Sequence, residues 1–193
     1  MKITYYGHSC FAVESNAFTV VLDPFAGVKG HKDINLDANM VLCSHEHFDH
    51  NYRDGVKLSK GENPFEITAL PSFHDECNGA KRGPNTVNVL KSEGRTIVHA
   101  GDLGHILDSK TLKTIENCDV LMVPVGGCYT IDAHVAIELI NLINPKIVIP
   151  MHYKDGVYGF DELSGIDEFL TLADSKLKDK LALVKAYGQS LEI

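Results

Sequence analysis

Four short apolar runs in this 193-residue chain each lead into a residue that can hold a cation: "MVLCS" into His45, "ITALPSF" into His74, "TIVHAG" into Asp102 and "KIVIPM" into His152. Runs of this length, rich in Val and Ile and bounded by polar residues, read as β-strands. Strand ends deliver side chains to one rim of a sheet, where stiff backbone can hold a constellation that loops alone hold poorly. The chain is therefore expected to fold so that four strand ends meet at a common edge.

The four runs are Met40 to Cys43, Phe65 to Leu70, Thr96 to Ala100 and Lys146 to Pro150, and further strands are predicted at Phe18 to Leu22, Thr86 to Leu90, Val120 to Val125 and Leu181 to Ala186. The opening "MKITYYGHSC" also alternates like a strand. Helical spacing relates Leu112 to Ile115. It recurs through Val135, Ala136, Leu139, Ile140 and Ile143 behind an Asp132 cap, with Pro145 as the stop, and again through Ile166, Phe169, Leu170, Ala173 and Leu177. The early part is strand-rich, and helices alternate with strands from about residue 108 onward. One layered α/β domain spanning 1–193 is the expectation, with sheets covered by helices.

The densest chemistry lies in "SHEHFDH", Ser44 to His50, which supplies His45, His47, Asp49 and His50. With His74, Asp102 and His152 this makes seven donors, whereas one divalent cation takes four to six. Seven suit two ions sharing a carboxylate. In a tight loop His45 and His47 can face one ion while Asp49 and His50 face another, and the two oxygens of Asp102 can serve both. Histidine and carboxylate suit zinc, manganese or iron.

Composition narrows the partners. The formal net charge is −8 and the nearest approach to a basic run is Lys81-Arg82, so a long polyanion is a poor fit and a small molecule a better one. Five scattered Cys without C-x-x-C spacing do not read as a disulfide framework. No apolar run approaches membrane-spanning length, and the first residues lack the apolar core of a secretory signal, so a cytoplasmic location with no membrane partner is expected.

H-x-H-x-D-H at His45 to His50, then His74, "GD" at Asp102 and "PMHY" at His152, resembles the metallo-β-lactamase superfamily in residue type and order. "GHSCF", "LDP", "HAGDLG", "VPVGG", "TIDA" and "IPMHY" are similar to the branch that contains L-ascorbate-6-phosphate lactonase and many small metal-dependent hydrolases. The likeness spans nearly the whole chain.

The resemblance implies a four-layer αββα sandwich of two facing mixed sheets flanked by helices, with the metal site along one edge. It implies His45, His47 and His74 at a first cation, Asp49, His50 and His152 at a second, and Asp102 at both. It further implies hydrolysis of a small ester, lactone or phosphoester by a hydroxide bridging the cations, in a site of net positive charge of about one unit. Asp49 is the expected catalytic residue, orienting that hydroxide and carrying a proton to the leaving group.

Further residues read as supports of the site. Asp23 in "VVLDPF" matches the family's strand-end Asp and is expected to hydrogen-bond a ligand histidine, although a simple Asp-Pro turn explains it nearly as well. His8 in "YYGHSCF" holds a family-like position close to the site edge. Lys81, Arg82 and Asn85 follow His74 in "NGAKRGPNT", where they either hold an anionic group of the substrate or are solvated loop polarity. Tyr153 is a candidate donor to a developing oxyanion, and His99 or His105 could compete with His74. Gly126 and Gly127 read as a tight turn at the pocket rim.

Redox flavodiiron proteins share this fold but carry Glu where His47 stands, and they have an attached flavin domain. A nucleic-acid-processing nuclease would need a basic surface or a clasping domain. A metal-binding module without catalysis would not need Asp49 and the whole ligand set. Other features depart from the lactonases: the chain is shorter, only 23 residues separate His50 from His74, Leu103 replaces a frequent Thr, and His134 stands where an acid is common. A homo-oligomer is compatible with the resemblance.

Overall fold

The computed structural model describes residues 1–193. Its frame is two five-stranded sheets. The first contains β1 (Lys2–Gly7), β2 (Cys10–Ser15), β3 (Phe18–Leu22) and β5 (Met40–Leu42), with the last strand β12 (Gln189–Glu192) added beside β1, in the order β12-β1-β2-β3-β5. The second runs β11-β10-β9-β8-β7, from β7 (Glu66–Phe73), β8 (Pro84–Ser92), β9 (Arg95–His99), β10 (Val120–Pro124) and β11 (Ile147–Met151). Short strands β4 (Leu36–Ala38) and β6 (Val56–Leu58) pair with each other alone.

Both sheets are mixed, and their pairing decides where the loops go. In the first sheet β1 and β3 each lie antiparallel to β2, and β5 is parallel to β3, so β1, β3 and β5 all end at one edge. In the second, β9, β10 and β11 are parallel, and β7 joins them in direction because it is antiparallel to β8, which is antiparallel to β9. The carboxyl ends of β1, β3, β5, β7, β9 and β11 carry His8, Asp23, the His45 loop, His74, the Asp102 loop and His152 in turn. The two edges meet there: His152 N donates to His8 O at 2.9 Å, and Thr86 N to Ser44 O at 2.9 Å.

Three apolar clusters hold the layers together. Ile3, Tyr5, Phe11, Leu22, Ile97 and Met122 fill the space between the sheets. Helices α1 (Ser109–Ile115), α2 (Ala133–Ile143), α3 (Asp167–Leu172) and α4 (Ser175–Lys178) cover the outer face of the second sheet, burying Leu139, Ile140 and Phe169 against Val98, Leu121 and Val148. The outer face of the first sheet is covered differently. There Phe25, Val28, Ile34 and Val56 pack on Cys10 and Val21, from the chain that includes the β4/β6 pair and a 3-10 turn at Arg53–Gly55. That segment is rich in Asp and Asn, with Gly27, Gly30 and Gly55, and these residues favour turns over a helical layer.

The Asp132 cap stands where it was read, its side chain accepting from Val135 N at 2.9 Å, and the helix stops at Asn144 in the left-handed conformation just before Pro145. Two expectations are corrected. The stretch from Ile166 to Leu177 is two helices, because Asp174 interrupts it and caps α4 by accepting from Leu177 N at 2.7 Å. Leu181 to Ala186 is not a strand. Only Leu181 bridges to Val148, while Leu183 and Lys185 each take φ of +53°, which ends any extended run. The edge strand forms later, at β12. No helix is long and apolar enough to cross a membrane.

Candidate metal centre

The seven donors read from the sequence converge in two main groups, which a third, of Asp23, His45 and His50, overlaps. The donor atoms of His45, His47 and His74 lie within 4.8 Å of one another, as do those of His8, Asp49, His50 and His152. Asp102 sits between the groups. Its Oδ2 is 3.2 Å from His50 Nε2, 3.2 Å from His74 Nε2, 3.1 Å from His152 Nε2 and 4.0 Å from His45 Nε2. Donors about 2.1 Å from a common tetrahedral ion stand about 3.4 Å apart, so this crowding matches ligands arranged around cations. Several of these atoms find no other use: His45 Nε2, His50 Nε2 and Asp102 Oδ1 are buried and make no hydrogen bond. Buried polar atoms in a native protein are rarely left without a partner, and a cation would supply one.

The opposite edge of three of the imidazoles, those of His45, His50 and His74, is held by protein. His50 Nδ1 donates to Asp23 Oδ2 at 2.8 Å, and His74 Nδ1 to the Tyr129 carbonyl at 3.0 Å, which leaves the Nε2 lone pairs facing the cluster. Ser44 links Asp23 to His45: its hydroxyl donates to Asp23 Oδ2 at 2.5 Å and lies 2.9 Å from His45 Nδ1, while its N–H donates to Asp23 Oδ1 at 2.6 Å. Asp23 is thus an orienting residue, and the simple turn reading is insufficient.

His8 also belongs here. Its Nε2 lies 3.0 Å from Asp49 Oδ2, and its ring is 4.3 Å from that of His152 and 5.0 Å from that of His50. His8, Asp23 and His152 each follow a strand directly and take φ of +51°, +44° and +53°. A non-glycine residue in this region costs roughly 1–3 kcal/mol, and such strain concentrates at sites where the surroundings enforce a geometry.

Burial, then the neighbouring His50, pushes the His45 imidazole down to about 3, and burial, then His152, takes His8 down to about 3. Neutral imidazole is the form that binds a cation. Burial pushes the Asp102 carboxyl up, but the facing imidazoles of His152 and His50 outweigh it and hold the carboxyl well below its usual range. Burial likewise raises Asp49, and the facing imidazoles of His50 and His8 overcome it.

Backbone approach explains two glycines. A Cβ on Gly101, which takes φ of +57°, would stand 2.4 Å from Ser44 Cβ, so only glycine lets the chain turn into Asp102 against the His45 loop. A Cβ on Gly126 would stand 2.1 Å from the His152 carbonyl. The expected turn at Gly126-Gly127 is therefore also a close crossing behind His152.

Other candidates lie elsewhere. Asn85 is buried and fully engaged: Nδ2 donates to Ser72 Oγ and Ala100 O, and Oδ1 accepts from Asp102 N at 3.0 Å. It braces the Asp102 loop, and the expectation of a substrate contact is corrected. Tyr153 is corrected too, since its hydroxyl accepts from Lys185 N at 2.9 Å and its ring packs in the core beneath the helices. His99 Nε2 is turned to Ser9 O and His105 Nε2 accepts from Phe73 N, so neither displaces His74. Leu103 is buried in the helix-side core. His134 faces solvent on α2, 3.6 Å from Glu168.

The cluster floors a cavity of about 410 Å³ walled by Phe48, Phe160, Tyr129, Arg82 and Glu162. Sequence reading missed most of this wall, as well as Ser44 and Asp75. Asp75 carries no motif signal. Its carboxylate accepts from the N–H groups of Cys77, Gly79, Lys81 and Arg82 at 2.8 to 2.9 Å and so shapes the loop after His74.

Comparison with known proteins places this architecture. The beta-lactamase superfamily domain matches residues 2–152. A UPF0173 metal-dependent hydrolase of Thermoplasma volcanium is 30% identical over 192 residues, covering 80% of this chain and 84% of the relative. A solved Thermotoga maritima structure, described as a Zn-dependent hydrolase of the metallo-beta-lactamase superfamily, superposes with a TM-score of 0.71 at 38% identity, covering 90% of this chain and 86% of that one. An isothiocyanate hydrolase from Delia radicum gut bacteria shares the fold at a TM-score of 0.76 and 14% identity, covering 100% of this chain and 99% of that one.

Proposed function

The chain belongs to the beta-lactamase superfamily, and from that premise we propose that it is a metal-dependent hydrolase whose centre holds two divalent cations and acts on a small ester, lactone or phosphoester. The observation that carries this reading is that Asp102 Oδ2 lies 3.1 to 3.2 Å from members of two donor groups, His74 of the first and His50 and His152 of the second. His45, His47 and His74 would hold one ion, Asp49, His50 and His152 the other, and Asp102 both. The mixed nitrogen and oxygen set favours zinc, with manganese or iron as alternatives. When bound, such a pair supplies Lewis acidity to the scissile group and brings the pKa of water close to neutrality.

The protein's own contribution is positioning and proton handling. Asp49 lines the cavity with Oδ2 held by His8, which places a fixed carboxylate where a proton must be taken up and passed to the leaving group. Phe48 and Phe160, with rings 6.2 Å apart, bound one side of the cavity with apolar surface and limit water there. Asp23, Ser44 and the Tyr129 carbonyl keep His50, His45 and His74 from turning.

Cavity size supports a small molecule over a polynucleotide, since about 410 Å³ falls in the usual range for compact ligands and the chain is acidic overall. The test is a panel of aryl esters, lactones and phosphoesters run on zinc- and manganese-loaded protein, with Asp49→Ala as the comparison. Turnover that falls at least a hundredfold in Asp49→Ala, with metal content kept above one equivalent, is the expected result. Full activity in Asp49→Ala would remove its assigned role.

A further inference from the structure

The cavity wall is uneven in charge, and its one permanent cation is held ready. Arg82 lies on the loop between β7 and β8, where Asp75 gathers four backbone N–H groups, Arg82 N among them at 2.8 Å. His74 N donates to Gly83 O at 3.1 Å and closes the loop at its base. The Arg82 guanidinium then folds over the Tyr129 ring, 5.7 Å from its centroid, and donates from Nη2 to the Cys128 carbonyl at 3.0 Å. Tyr129 and Cys128 belong to the segment whose carbonyl also holds His74. Arg82 is therefore fixed to the frame of the centre and lines the same cavity.

That contact uses one of the five N–H donors of the guanidinium, and Arg82 makes no ion pair. The nearby Lys81 is committed elsewhere, to Glu76. A half-buried guanidinium stacked on an aromatic ring with free N–H groups is preorganised to grip a planar or tetrahedral oxyanion. The same cavity is lined by Phe48, 63% exposed despite its size, and Phe160. Glu162, exposed, also lines the cavity.

We propose that the substrate carries an anionic substituent, carboxylate or phosphate, bound by Arg82, with an apolar portion against Phe48 and Phe160 while the scissile bond meets the metal cluster. This rests on the hydrolase reading for the identity of the reacting centre, but the binding claim concerns Arg82 alone.

The experiment is isothermal titration of metal-loaded protein with phenylacetate, phenyl phosphate and the neutral phenylacetamide, for wild type, Arg82→Gln and Arg82→Lys. Metal content and melting temperature are measured on the same samples. At least one anion binds wild type about tenfold or more tightly than the amide, as one charge-assisted contact provides. Arg82→Gln removes that preference and leaves amide binding and metal content unchanged, while Arg82→Lys restores part of it. The anion with the larger loss in Arg82→Gln identifies the substituent. Anion affinity unchanged in Arg82→Gln would overturn the proposal, because the anion would then sit on the metals alone. So would equal loss of amide and anion, or no preference in wild type. Protein that takes up no metal yet shows the Arg82-dependent preference would refute the metal centre and leave the anion site standing.

Discussion

His8 Nε2 lies 3.0 Å from Asp49 Oδ2, and both residues are buried beside the second group of metal donors. The carbonyl of the same His8 accepts from His152 N at 2.9 Å. One residue at the end of β1 thus braces the Asp49 loop by its side chain and the His152 loop by its backbone. Replacing it by Ala is expected to weaken metal binding about 10- to 100-fold, the usual effect of removing an orienting partner. His8→Gln keeps a donor in reach of Asp49 and is expected to lose less. Zinc competition against a chromogenic chelator checks both, and an unaltered affinity in His8→Ala would count against the bracing role.

Asp23 has a larger structural burden, because it accepts from Ser44 N, Ser44 Oγ and His50 Nδ1 at full burial. Asp23→Ala leaves these buried donors without an acceptor, at about 3 kcal/mol or more. Urea unfolding of the metal-free protein reads this directly. Ser44→Ala is expected to cost less, since Asp23 still accepts from His50 and from the Ser44 backbone.

These orienting contacts mark the boundary of what the sequence could disclose. His45, His74, Asp102 and His152 were legible because each follows an apolar run, and the parallel directions of β7, β9 and β11 turn that pattern into one edge. Ser44, Asp75 and the Tyr129 carbonyl were not, because hydroxyls, loop carboxylates and backbone oxygens have no spacing that announces a partner distant in sequence. Asn85 and Tyr153 were misread for the same reason: proximity in sequence to His74 and His152 said nothing of where their polar atoms point. The break at Asp174 was hidden because apolar spacing continues through it, and only the cap it makes to Leu177 N separates α3 from α4.

Gly126→Ala tests the close crossing behind His152. The new Cβ would overlap the His152 carbonyl at 2.1 Å, so the His152 loop must shift. The variant is expected to bind one fewer cation while keeping the first group of donors intact, as read by elemental mass spectrometry and by the melting temperature after chelation.

Acid sensitivity has a component away from the centre. Asp119 accepts from Lys146 Nζ at 2.8 Å and Thr96 N at 2.8 Å, with Arg95 at 3.4 Å. Burial pushes its carboxyl up, but these donors outweigh it and bring it below its ordinary 3.8. A carboxyl depressed in the folded state contributes stability above its unfolded value, and that contribution fades as pH falls through the native value. Wild type is therefore expected to exceed Asp119→Asn in stability by a constant margin from pH 7 to about 5, and the margin closes below about pH 4. Urea midpoints across that range check it, and a margin that widens on acidification would contradict it.

Metal removal should loosen the edge where the sheets meet. A cation bound only by the folded chain, present at about a thousand times its dissociation constant, adds roughly 4 kcal/mol. Chelation is expected to lower the melting temperature by several degrees, and zinc to restore it.

The central claim is two cations shared through Asp102, and counting metal per chain tests it most directly. Protein loaded with zinc and freed of excess is compared by elemental mass spectrometry with His47→Ala, His152→Ala and Asp102→Ala. The expected result is two equivalents in wild type, close to one in each histidine variant, and less than one in Asp102→Ala. A single equivalent in wild type, or two that survive the loss of Asp102, would contradict the shared centre.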